Sequence, residues 1–239
     1  MTDLNSFGDG STDYEKYIHT QDIYKLQKTA DEWVNEEELL FQSVHQGMET
    51  WLKVVIQHLT QVCAWMNESN YSEATRFLNR SADVLQWLGE GLKFPESIAP
   101  WDYHKIRMGL GKGSGQQSPT YQKLHEVAPD VLDAFEATLK REGKTLDDIQ
   151  QDPHAHDQLY ALTKSMLRFD QHLMHWKYRH FQLVKRIIGD AVMSLKGVPA
   201  SALEKTTHEP AFPDLWAVIN RTTNTYNAKH RPEGGGAYQ

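Results

Sequence analysis

The chain has 239 residues, 39% hydrophobic and 24% charged, with a formal net charge of -7. That length suits one large domain or two small ones, and the balance excludes a disordered chain. The acidic excess argues against nucleic acid or an anionic membrane surface as partner, because both need a basic face. The single cysteine, Cys63, excludes an intrachain disulfide and suggests a reducing compartment. The opening stretch MTDLNSFGDGSTDYEKY has no basic or apolar signal region, and no apolar run nears the roughly 20 residues of a membrane span. A cytoplasmic location is expected.

Helical periodicity dominates, and no alternating strand pattern or Asn-Gly or Asp-Gly hairpin is visible. The first helix is predicted at about 14–29, with Thr12 or Asp13 as N-cap. A second is predicted at about 34–67, where Leu40, Phe41, Val44, Met48, Leu52, Val55 and Leu59 recur at spacings of three and four. A helix that long reads as the spine of a bundle. Glu36, Glu37 and Glu38 fall in its first turns, where the helix dipole favours them. A third helix is predicted at about 72–91 with Ser72 as N-cap, and Pro95 and Pro100 prevent it from continuing. Further helices are expected at about 101–108, 119–142, 146–151 and 155–194. Residues 1–12 and 228–239 read as mobile tails. The expected architecture is a single all-α helical bundle over residues 1–239, with no internal repeat.

Three segments could carry chemistry. In HLMHWKYRHFQLVKRIIG, His180 shares a helical face with Leu173, Trp176, Val184 and Ile187. A histidine in an apolar stripe needs a partner for its nitrogens. It is a core histidine bonded to a backbone carbonyl, a catalytic base, or an iron ligand. His172 and His175 lie on other faces, and neither HExxH nor a cysteine-rich zinc set is present. In EEELLFQSVHQGMETWLK, His45 shares a face with Phe41, Met48 and Leu52, and is either a satisfied core histidine or part of a ligand site. Two such helices face to face would enclose an apolar slot with a histidine on either side, the geometry a haem needs.

In WDYHKIRMGLGKGSGQQS, Tyr103 and Arg107 are four residues apart on one helical face. An arginine fork suits a substrate carboxylate, although a surface arginine is the ordinary alternative. The loop GLGKGSG is not a nucleotide site. Ile106 stands where a P-loop needs its first glycine, and Gly113 follows Lys112 where Ser or Thr is required. It also lacks the preceding strand of a dinucleotide fingerprint. No nucleophile elbow supports a serine hydrolase.

These segments together resemble the tryptophan 2,3-dioxygenase superfamily, in the same order along the chain. TDYEKYIHTQDIYKLQ is similar to the family's N-terminal segment. LLFQSVHQGMETWLKVVIQHL is similar to its phenylalanine-x-x-x-histidine-glutamine helix, YHKIRMGLGKGSGQQS to its tyrosine-x-x-x-arginine helix and serine-glycine loop, and WKYRHFQLVKRIIG to its proximal helix. FPDLW has a counterpart too, so the resemblance spans about 14–216. Three departures stand out. The family's histidine-aspartate-glutamate is Glu36-Glu37-Glu38 here, the stretch before the proximal helix is shorter, and the glycine- and serine-rich lid loop is replaced by GDAVMSLKGVPASALEK.

The resemblance implies haem b, with His180 as proximal iron ligand and Ser114 and Gly115 near the haem or its oxygen. It implies His45 as the distal histidine at the indole nitrogen, Phe41 packed on the substrate ring, and Arg107 on the substrate carboxylate with Tyr103 beside it. Tyr14 and Tyr17 would reach into a neighbouring subunit's pocket in a homotetramer, a dimer of dimers. The implied activity is oxygenation of L-tryptophan or a derivative by dioxygen, opening the indole 2,3-bond to an N-formylkynurenine-type product. The alternatives are single-oxygen insertion on a substituted tryptophan or tyrosine, and a haem-binding protein without catalysis. The partners expected are a small aromatic amino acid and dioxygen, without nucleic acid or membrane.

Overall fold

The computed structural model describes residues 4, 7–111, 113, 115–189 and 201–231. In chain order the helices are α1 (Asp13–Ile18), α2 (Thr20–Ile23), α3 (Glu38–Asn67), α4 (Tyr71–Gly91), α5 (Lys93–Glu96), α6 (Pro100–Gly109), α7 (Pro119–Glu142), α8 (Leu146–Gln151), α9 (Asp157–Ile188), α10 (Ser201–Thr207) and α11 (Pro213–His230). No strand occurs among the described residues, so the fold is all-α as expected. No described helix is long and apolar enough to cross a membrane.

The four longest helices make the frame. A tight turn joins α3 to α4, so the two run antiparallel; α7 lies on α3, and α9 lies along α4. The apolar stripe of α3 buries Leu52, Val55, Leu59, Val62 and Met66 against Leu78, Leu85 and Leu88 of α4, Val131 and Phe135 of α7, and Met166, Phe169 and Leu173 of α9 in one core. Burying one such side chain contributes about 1.5–3 kcal/mol. A second, small cluster of Phe41, Ile98 and Ile106 sits at the end of the frame where α3 begins.

Several boundaries differ from expectation. The predicted first helix is two short ones, because the chain turns left-handed at His19 (φ 60°), and α2 ends at Ile23 rather than near Thr29. Thr12 caps α1 as expected, in a capping box with Glu15. The spine begins at Glu38 rather than Val34, because Glu38 is not a solvated dipole partner: it is buried and held by Lys28 and the Val34 N–H. Asn70, not Ser72, caps α4. The helix starting at Pro119 ends at Glu142 as predicted, where Gly143 takes a left-handed conformation (φ 63°). The last long helix starts at Asp157 and ends at Ile188 rather than near 194, because Gly189 caps it with a positive φ (91°); the replacement for the lid loop over 190–200 lies outside the described residues. α11 continues to His230, so 228–230, expected in a tail, are helical.

FPDLW is the anchor of α11. Asp170 of α9 is fully buried and accepts hydrogen bonds from Ala211 N (2.7 Å), Phe212 N (3.0 Å) and Trp216 Nε1 (2.9 Å). Phe212 and Leu215 are buried beside it in the main core. Removing the carboxylate leaves three donors without an acceptor. Asp170→Ala is expected to lower stability by roughly 2–5 kcal/mol in urea denaturation, with Trp216 fluorescence shifting as α11 loosens. An unchanged midpoint would show that α11 is held by packing alone.

Candidate functional site

The beginning of α3 and the end of α9 meet at one end of the frame. α3 and α4 are antiparallel, so the first turns of α3 lie beside the last turn of α4, and α4 at Gly89 touches α9 at Trp176 and Arg179. His45 is in the second turn of α3 and His180 in the last turns of α9. The two imidazoles are close enough that each charge would oppose the other. The two histidines therefore come near one another, but not on helices packed face to face: α3 packs chiefly on α4 and α7, and α9 chiefly on α4.

His180 is held uncharged at neutral pH. Burial, and then the nearness of His45, push its pKa down to about 4. The residue nonetheless keeps some accessible surface. Among the described residues no group hydrogen-bonds either ring nitrogen. The core-histidine reading, with a carbonyl partner, is thus not what the described residues form. One turn earlier, the Trp176 indole N–H is buried and likewise finds no acceptor among them. Gly115 approaches the imidazole: a Cβ on it would lie 3.8 Å from His180 Nε2 and 3.9 Å from Cε1. Ser114 lies outside the described residues.

His45 bonds to its own helix. Nδ1 donates to the Phe41 carbonyl at 2.7 Å, which leaves Nε2 as the nitrogen with the lone pair. Burial lowers its pKa, opposed by this bond and by Glu49. The Phe41 ring lies against it, centroids 4.1 Å apart, and Tyr103 of α6 lies 5.9 Å from Phe41 on the other side. Arg107, one turn along α6 from Tyr103, is half-buried. Burial raises the Tyr103 phenol pKa and the Arg107 charge draws it back. No carboxylate among the described residues forms an ion pair with Arg107. His45, Phe41, Tyr103, Arg107, His180 and Gly115 thus gather at one end of the frame. Tyr14 and Tyr17 do not: on α1 they are 70% and 85% exposed, and α1 buries none of its residues.

The donor set can be tested against a metal or cofactor. No three His, Cys, Asp or Glu among the described residues converge on a point where a metal ion would be held by protein alone. A haem brings four nitrogens of its own and asks for one neutral imidazole. His180 meets that need, with a free lone pair and a side-chain-less residue facing Nε2. A ring system on Nε2 would take the place against which Gly115 now packs. The chemistry of the residues fits a haem.

Periodicity gave no warning of the polar segment that leads into α3. Gln42 accepts from Lys28 N (2.9 Å), Gln46 joins Gln27 and the Leu26 carbonyl, and Asn35 donates to Asp102 of α6 (2.9 Å). Gln42 and Gln46 fall one turn apart on α3, and that spacing was the only available signal.

Comparison with known proteins bears on this arrangement. The sequence profile of the family described as Tryptophan 2,3-dioxygenase matches residues 2–130. Among similar proteins is a tryptophan 2,3-dioxygenase of Erythrobacter litoralis, 26% identical, with 76% of this chain and 88% of the relative aligned. Proteins of the same name from Shewanella woodyi (23% identical, 90% and 91%) and Anaeromyxobacter sp. (24%, 91% and 98%) align along nearly all of both chains. With the profile matched over more than half of its length, and its helices assembling the residues described above, this chain is an oxidoreductase that belongs to the tryptophan 2,3-dioxygenase family.

Proposed function

We propose that the chain is one haem-dependent oxygenase domain that uses dioxygen on L-tryptophan or a tryptophan derivative. The observation that carries this reading is the convergence of an uncharged, unpartnered imidazole, His180, with an aromatic wall and an unpaired guanidinium, Arg107. Haem b held by His180 would supply the activation of dioxygen. Gly115, with Ser114 beside it in sequence, would lie near the haem.

The protein's own residues bind and orient the substrate. Phe41 offers its face to the indole. With Nδ1 bonded to the Phe41 carbonyl, His45 presents Nε2 as an acceptor for the indole N–H. It orients the ring rather than acting as a strong base, since burial already lowers its proton affinity. Arg107 receives the carboxylate as a bidentate pair, and Tyr103 keeps its phenol proton beside it. Inserting both oxygen atoms across the 2,3-bond balances without an external reductant and gives an N-formylkynurenine-type product. Tyr14 and Tyr17 complete the pocket of a neighbouring subunit in a homotetramer. Support for this is the exposure of both rings on a helix that buries nothing within its own chain.

One observation favours a second outcome. The segment GDAVMSLKGVPASALEK stands where the family has its glycine- and serine-rich lid, and it offers no threonine in the matching loop for the substrate ammonium. A site without that contact admits single-oxygen insertion, which needs two further electrons from a reductant, or a peroxide in place of dioxygen. A purely haem-binding role does not call for the unpaired Arg107 beside Tyr103.

Haem reconstitution of the purified protein is expected to give a Soret band that His180→Ala loses; an unchanged band in the variant removes His180 as ligand. Incubation of the haem-loaded protein with L-tryptophan and dioxygen is expected to yield a product heavier by two oxygen atoms, whereas a gain of one selects the second outcome. Arg107→Ala is expected to weaken L-tryptophan binding by roughly 2–5 kcal/mol with little effect on tryptamine, which has no carboxylate. Equal losses for both ligands would take Arg107 out of the carboxylate site.

A further inference from the structure

The helix that carries Tyr103 and Arg107 is poorly anchored by packing. Ile106 is the only residue that α6 fully buries, in the three-residue cluster with Phe41 and Ile98, and the half-buried Tyr103 packs against that cluster and the main core. The segment before α3 meets both ends of α6. At its start, Asn35 Nδ2 donates to Asp102 Oδ1 at 2.9 Å. At its end, Gly109 lies close to a half-buried ion pair: a Cβ there would lie 3.9 Å from Lys28 Nζ, 4.0 Å from Glu38 Oε1 and 4.0 Å from Val34 Cγ2. Glu38 is 3% exposed; its carboxylate accepts from Lys28 Nζ and from Val34 N (2.8 Å). Gly109 is two residues beyond Arg107.

We infer that the Lys28–Glu38 pair is a positioning clamp that sets where Arg107 stands, and so tunes the preference for a carboxylated ligand. The inference rests on the reading of Arg107 as the carboxylate site. The pair is suited to this because it tolerates no neutral substitute. In Glu38→Gln one carboxylate oxygen becomes an NH2 group, which must face either the Lys28 ammonium or the Val34 N–H. Both are donors, so one contact is lost, and the pair that lies against the end of α6 must rearrange. Small shifts of a binding group have large effects because a bidentate pair demands fixed geometry.

Calorimetric titration of the haem-loaded protein with L-tryptophan and with tryptamine tests this. Glu38→Gln is expected to weaken L-tryptophan binding roughly 5- to 30-fold and leave tryptamine unchanged. In the Arg107→Ala background the same substitution should add nothing. Lys28→Arg, which keeps the cation, should retain the wild-type preference. If Glu38→Gln fails to melt cooperatively, Asn35→Ala opens the other end of α6 at a half-exposed position and is expected to show the same selective loss. Three results overturn the clamp while leaving the Arg107 site standing: no loss in Glu38→Gln or Asn35→Ala, equal losses for both ligands, or losses additive with Arg107→Ala. No selective loss in Arg107→Ala itself overturns the carboxylate site, and the clamp's proposed role with it.

Discussion

An imidazole stays inside a protein without a hydrogen-bond partner only if it is uncharged and the surrounding packing gives it no alternative. His180 is in that state, and much of the structure serves to keep it there. α9 carries it on a helix locked against α4 by the main core. His45 opposes its protonation from α3, and the glycine at 115 approaches Nε2 with no side chain to offer. A neutral imidazole lone pair is what an iron-centred macrocycle asks of a protein. The same desolvation would be a plain cost if nothing ever used it.

The site combines two kinds of support. The histidines sit on core helices, where interior packing leaves little freedom. Tyr103 and Arg107 sit on a short helix with one buried residue, bonded at its start by the Asn35 amide on Asp102 and lying near the Lys28–Glu38 pair at its end. An imidazole that must hold a fixed group benefits from rigid helices. An arginine that meets a ligand from solvent can stand on a softer mount, and its position then depends on a few polar contacts.

The second anchor of α9 is electrostatic and lies well before His180 in the chain. Asp170 gathers two backbone N–H groups and the Trp216 indole where α11 begins. The FPDLW segment therefore belongs to the stability of the helix that carries His180 rather than to the substrate. Glu38 is a comparable case. Three consecutive glutamates read as a solvated helix start, yet only the third turns inward, because the stretch of chain from Lys28 to Val34 folds back over it.

Periodicity by itself determined the long helices, their apolar faces, and the placing of His45 and His180 each on such a face, because burial repeats along a helix every three to four residues. The end of the helix starting at Pro119 was legible too, since Gly143 accepts a left-handed turn. The break at His19, the inward turn of Glu38 and the partners of Asp170 were not. A left-handed non-glycine residue and a buried carboxylate carry no local signature; each is stable only through what the distant chain brings to it. Tertiary structure alone decided that the two histidines share one end of the frame. That arrangement comes from the antiparallel turn between α3 and α4 and the contact of α4 with α9, and neither is written in the spacing of either stripe.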